Sequence, residues 1–99
     1  MPKRGNESTV VRTGRANHRR GPIADGGRLT LTAGMLAFQP HRVNLDGGVA
    51  VSVPLAEIDS AEAGGRPFEL LVTLRDGRQE TFSVYKRAAW IADITAPHS

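Results

Sequence analysis

The chain of 99 residues contains no cysteine. Disulfides, a thiolate zinc site and a cysteine nucleophile are excluded, and the redox compartment leaves no mark on the composition. Aromatic residues are few: three Phe, one Tyr and one Trp. No apolar run approaches the ~18 residues of a membrane-spanning helix. The opening stretch MPKRGNESTVVRTG is basic at its start, but no hydrophobic segment follows, so no secretory signal is expected. Arg19-Arg20 leads into GPIADGG, not into the apolar run of a twin-arginine signal. Asn6 has the form of a glycosylation acceptor, which carries no weight without secretion. A cytoplasmic protein is expected, at most peripheral to a membrane. Catalytic motifs are missing too: there is no nucleophile elbow, glycine-rich phosphate loop or usefully spaced pair of carboxylates. A triad of Ser52, His41 and Asp46 exists only on paper. No enzyme, cofactor or small-molecule substrate is expected.

What is present is a charge imbalance. Residues 1–28 hold seven cations against two acids, a net +5, whereas the remaining 71 residues hold six against eight, a net −2. The stretch RTGRANHRRG, from Arg12 to Gly21, has four arginines, one histidine and no acid. Such an asymmetry points either to an anionic partner or to a solvated basic face.

From Thr9 onward the dominant period is two, that of half-buried strands. Leu29 and Leu31 share a face, as do Leu36 and Phe38, then Val49, Val51 and Val53, then Phe68, Leu70, Val72 and Leu74, then Phe82 and Val84. Ala33-Gly34 makes a tight turn, Pro40 and Pro54 end strands, and the three Gly-Gly pairs at 26–27, 47–48 and 64–65 are expected in turns. A two-residue Asp-Gly loop in LRDGR would place Phe82 opposite Leu71 and split the apolar sets between faces. A three-residue loop, Arg75-Asp76-Gly77, sets Leu70 against Phe82 and Phe68 against Val84, with Gly77 in the left-handed bulge position. The stretch YKRAAWIADI instead carries Trp90, Ile91 and Ile94 on one helical stripe. This helix is too short to persist alone, and its charges oppose the macrodipole. Trp90 must hold it against the strands. Residues 1–8 are expected as a disordered basic tail, 9–95 as one domain and 96–99 as a second tail.

Gly27, the Leu29-Thr30-Leu31-Thr32 strand, Leu36-Ala37-Phe38, the segment Val53-Pro54-Leu55-Ala56-Glu57-Ile58 and the Trp90 helix resemble, in that order, a GRAM domain of the pleckstrin-homology-like superfamily. The spacing AN…GG-L-LT…F-PH-N resembles its small stand-alone bacterial members, over roughly residues 10 to 94. The resemblance implies a mainly β fold: a pleckstrin-homology-like antiparallel β-barrel or sandwich of about seven strands with one C-terminal α-helix. It implies a non-enzymatic binding module for anionic membrane lipid or a protein partner. One departure is Met35, where the family often carries arginine; any ligand or turn-bracing role of that arginine is lost or moved.

Arg15, Arg19, Arg20 and Arg42 are the candidate anion- or lipid-binding residues. Asn17, Gly27, His41, Asn44, Gly77 and Trp90 are expected in structural roles, with His41, Asn44 and Asn17 bracing loops through hydrogen bonds to backbone. His18 and His41 have no acid or cysteine at ligand spacing, and His98 lies in the tail, so no metal is expected. Two other functions remain open. A small basic barrel can bind single-stranded nucleic acid, although Phe38, Phe68 and Phe82 all fall on apolar faces and leave no stacking platform. A partner protein can dock along a sheet edge or beside the helix.

Overall fold

The computed structural model describes residues 9–41 and 50–96. Seven antiparallel strands form one sheet: β1 (Val10–Arg20), β2 (Ile23–Thr32), β3 (Met35–Pro40), β4 (Val51–Pro54), β5 (Ile58–Ala63), β6 (Glu69–Leu74) and β7 (Gln79–Val84). A single 3₁₀ turn, Leu55–Glu57, joins β4 to β5, and the helix α1 (Arg87–Thr95) closes the described chain. The strand order is β4-β3-β2-β1-β7-β6-β5, so β1 is the central strand. It pairs with β2 along nearly its whole length, but with β7 only from Ala16 to Arg19.

Alternation decides which side chains enter the core. Leu29, Leu31, Leu36, Phe38, Val53, Leu70, Val72, Leu74, Phe82 and Val84 are all buried, and Trp90 and Ile94 of α1 join them. Apolar burial of this kind drives collapse, and the period-two pattern fixes which face receives it. The three-residue loop forms as the apolar register requires: Leu70 pairs with Phe82, Gly77 has φ +94, and the Gly77 N–H donates to the Leu74 carbonyl at 2.9 Å.

Two expectations fail. Gly26-Gly27 does not turn the chain; both lie inside β2. The turn comes earlier, at Gly21-Pro22, so that Arg20 faces Ile23. Gly27 faces inward, where a β-carbon would stand 2.3 Å from the Gln39 carbonyl oxygen and 2.6 Å from the Phe38 ring. The missing side chain lets β3 and Phe38 close over β2. The second failure is Phe68. Its alternation with Leu70 predicts burial, yet it is 55% exposed. The residue has φ +67, and this left-handed step reverses the direction of its side chain just before β6 begins. The Phe68 carbonyl still accepts the Val84 N–H at 2.8 Å, so the backbone register holds while the ring leaves the core.

The helix begins at Lys86, which has φ 58 and no side-chain cap. Its charges do not run with the dipole but are engaged elsewhere. The Arg87 guanidinium donates to the carbonyls of Arg66 and Glu69, and Asp93 accepts from Arg12 Nε at 2.7 Å. Buried Trp90 and Ile94 anchor α1 across β5, β6 and β1. No described helix is long and apolar enough to cross a membrane.

Candidate functional site

The outward face of β1 carries Thr13, Arg15, Asn17 and Arg19, because Ala16 and His18 between them point inward and are buried. The hairpin register places Arg28 of β2 directly opposite Arg15, and Gly26 opposite Asn17. On the other side, Ser83 of β7 faces Asn17. Arg15 and Arg28 are both exposed. Like charges directly opposite on one sheet face repel. Arg28 leans toward Thr13 Oγ1 at 3.5 Å, a weak contact, and no carboxylate among the described residues pairs with either arginine.

Beside these residues the surface sinks into a cleft of about 470 Å³. This lies in the size range of small-ligand pockets, roughly 300–1,000 Å³. Arg15, Asn17, His41, Ser83, Phe68 and Tyr85 supply its side chains. Among the described residues, no aspartate or glutamate lines it, and Arg15 brings a positive charge to its edge. Gly26 keeps part of the floor at backbone level; a β-carbon there would meet Asn17 Oδ1 at 3.3 Å and His41 Cδ2 at 3.8 Å. The main-chain N–H of His41 donates to the Gly26 carbonyl at 3.0 Å and fixes the chain beside the cleft.

The opposite wall is aromatic. Phe68 and Tyr85 are 55% and 74% exposed and meet edge to face, with centroids 5.7 Å apart and planes at 72°. Both rings sit beside left-handed backbone, at Phe68 itself and at Lys86 next to Tyr85. For a residue other than glycine that conformation costs about 1–2 kcal/mol. Here it accompanies the exposure of apolar rings rather than their burial.

The remaining expected residues are distributed as follows. Arg19 lies on the same outward face, nearer the hairpin tip. Arg20 is half-buried and bound to Asp25 Oδ2 at 2.9 Å, so its charge is partly neutralised. Arg42 and Asn44 lie outside the described residues, as do His98, the Gly47-Gly48 pair, Asp46, Val49 and the N-terminal tail. Gly27, Gly77 and Trp90 sit at the close contact of β2 with β3, in the β6–β7 turn and in the core. Met35 stands at the start of β3, where its sulfur accepts from Ser52 Oγ at 2.7 Å.

His18 and His41 do not meet. His18 is buried between the rings of Phe38 and Phe82, with centroid distances of 5.4 and 5.1 Å, and its Nε2 lies 2.7 Å from Glu80 Oε1. His41 is exposed on the other side of the sheet. Among the described residues, no group of three His, Asp or Glu is placed to hold a metal.

Sequence reasoning missed Gly26, Arg28, Ser83, Phe68 and Tyr85. Arg28 and Ser83 follow from pairing once the hairpin tip is placed at Gly21-Pro22. Phe68 has no such signal, because only a local change of φ reverses the period-two expectation.

No family model matches the chain, and no curated protein matches it. Solved structures do. The C-terminal domain of an unknown protein from Leishmania infantum superposes with a TM-score of 0.75 at 15% identity, over 89% of this chain and 82% of that one. The Slm1-PH domain, in a study demonstrating ligand binding in its non-canonical site, superposes with a TM-score of 0.69 at 15% identity, over 92% and 99% of the two chains. The linker-DH/PH domains of p115-RhoGEF give a TM-score of 0.72 at 14% identity, over 88% of this chain but 28% of that longer one. The fold is pleckstrin-homology-like. Seven antiparallel strands and a C-terminal helix are shared with these domains at identities that establish architecture alone.

Proposed function

We propose that the chain is a non-enzymatic pleckstrin-homology-like module of the GRAM type, which docks on an anionic membrane surface in the cytoplasm. One observation carries this. Arg15, Arg19 and Arg28 project from one face of the β1–β2 hairpin, Arg15 and Arg28 directly opposed, next to a cleft that no acid lines among the described residues. An anion lying across them relieves their repulsion. Architecture adds support: among the similar domains, Slm1-PH has been solved in complex with inositol-4-phosphate and with phosphoserine.

The exposed rings of Phe68 and Tyr85 reopen the case for nucleic acid, which an expected lack of accessible aromatics had weakened. Their arrangement favours the membrane nonetheless. Successive bases stack on separate ring faces along a basic track. Phe68 and Tyr85 instead cover one another edge to face and form a single wall beside one cluster of cations.

The test is vesicle sedimentation. Each cation near an anionic surface contributes about 1 kcal/mol, so replacing Arg15, Arg19 and Arg28 by Gln is expected to remove up to about 3 kcal/mol of binding. Wild type should bind phosphatidylserine vesicles at low salt, release them at high salt and ignore neutral vesicles. Binding that survives the triple replacement overturns the assignment. Single-stranded RNA bound with a steep salt slope, without any vesicle binding, transfers it to nucleic acid. If neither binds, a protein partner becomes the leading alternative.

A further inference from the structure

We propose that the outer cleft between β1, β2 and β7 captures the C-terminal residue of a partner polypeptide, one that ends in a bulky apolar side chain. The inference goes beyond membrane docking and does not depend on it: Arg19 and Arg28 stand outside the cleft lining and remain available to a surface. Unused polar groups converge in the cleft. The guanidinium of Arg15, the amide of Asn17 and the hydroxyls of Ser83 and Tyr85 all line it, and none of them bonds to another described residue. Arg15 and Asn17 are two residues apart on one face of β1, and Ser83 of β7 pairs with Asn17.

The number of charges selects the anion. Among the described residues, Arg15 is the single arginine or lysine in the lining. A phosphomonoester carries about −1.5 to −2 at neutral pH and would leave charge uncompensated. A carboxylate carries one, and its two oxygens match the guanidinium fork. Position then selects the residue. Inside a chain, the carboxylate of an aspartate or glutamate is the tip of a side chain, and any apolar group belongs to a different residue. The last residue of a chain holds a carboxylate and an apolar side chain on the same α-carbon, so both fit one cleft of about 470 Å³. Phe68 and Tyr85 form the wall for that side chain. Phe68 is held out of the core by its left-handed backbone, and Lys86 beside Tyr85 is left-handed too. Strain of this kind gathers at ligand sites and persists only where surrounding structure enforces it. The Asn17 amide both donates and accepts, as the last peptide group of a chain requires. Gly26 keeps the floor bare where a β-carbon would stand 3.3 Å from Asn17 Oδ1, so a peptide backbone can come close. Capture of a terminal carboxylate is a recurring mode of peptide recognition.

The experiment is titration of the isotope-labelled protein with three peptides, followed by amide chemical shifts. The probes are acetyl-Gly-Gly-Phe with a free carboxylate, the same peptide as its C-terminal amide, and acetyl-Gly-Gly-Ala with a free carboxylate. The free acid ending in Phe is expected to bind tightest and to shift Asn17, Gly26, Ser83 and Tyr85. Amidation and the Ala ending should each weaken binding by about tenfold or more, the first by removing a charge-assisted hydrogen bond. Arg15→Gln should abolish the difference between acid and amide, and Tyr85→Ala the difference between the Phe and Ala endings. Such paired losses report direct contact, which a general loss of structure would not produce. Both residues are exposed, so neither change disturbs the core. Arg19→Gln, outside the cleft, should leave peptide affinity unchanged while reducing sedimentation with phosphatidylserine vesicles. Peptide binding without vesicle binding therefore removes the membrane reading alone, and vesicle binding without peptide binding overturns this inference alone. The inference is also overturned if acid and amide bind alike, if the shifts fall outside the cleft, or if myo-inositol monophosphate occupies the cleft more tightly than the acid peptide does.

Discussion

Gly26 and Gly27 are neighbours in one strand, yet alanine is expected to have opposite consequences at the two positions. At Gly27 the new β-carbon would stand 2.3 Å from a carbonyl oxygen and 2.8 Å from the Pro40 Cα, both backbone atoms, and 2.6 Å from the buried Phe38 ring. None of these is the free end of a flexible side chain, so β3 must move away from β2. Overpacking costs typically about 1–3 kcal/mol, occasionally more, and a backbone clash this close belongs at the upper end. A domain of this size has about 5–15 kcal/mol of stability in all. A loss of about 3 kcal/mol lowers Tm by roughly 12–24 °C, at about 4–8 °C per kcal/mol. At Gly26 the nearest atom is the outer oxygen of exposed Asn17, at 3.3 Å, which has room to turn aside. Restricting the unfolded chain there contributes about 0.4–1 kcal/mol in the other direction, so Gly26→Ala should stay within about 1 kcal/mol of wild type. Thermal melts of the two variants, followed by far-ultraviolet circular dichroism, decide the matter. Equal melting temperatures, or a larger loss at Gly26, would refute the close contact of β3 with Gly27.

Other substitutions probe other parts of the fold. Trp90→Ala should cost about 3–5 kcal/mol, because the ring is buried and anchors α1; a Tm within a few degrees of wild type would mean that the helix does not seal the core. Gly77→Ala should cost about 1 kcal/mol or more in urea unfolding, since φ +94 disfavours a β-carbon; an unchanged midpoint denies the three-residue loop. The Asp76 carboxyl is held below the ordinary aspartate range, first by the Arg78 backbone N–H and then by the Arg78 guanidinium. A depressed native pKa favours the folded state above the ordinary carboxylate range, and this contribution is lost as pH falls through the native value. An NMR titration should therefore find the Asp76 midpoint raised in Arg78→Ala, with little change in Tm because the pair is exposed; an unmoved midpoint would mean that the Arg78 guanidinium adds nothing to the backbone N–H.

The amino-acid pattern by itself determined the inward residues of five strands, the β6–β7 register and the Trp90 helix. These follow from burial of apolar side chains at a fixed period, a local rule that needs no knowledge of the rest of the chain. The basic bias was equally legible as composition. It did not reveal that Arg20 is tied to Asp25 or that Arg28 opposes Arg15, because those depend on where the hairpin turns. Tertiary structure alone decided the close approach at Gly27, where paired β3 and the Phe38 ring lie against the strand backbone. It also decided the cleft. Its arginine, amide and hydroxyl come from β1 and β7, brought together by pairing across the middle of the sheet, and its aromatic wall exists because one φ angle at Phe68 reverses a side chain that periodicity assigns to the core. Period and composition record average burial along a segment; a single left-handed residue, and the pairing of strands far apart in sequence, leave no trace in either.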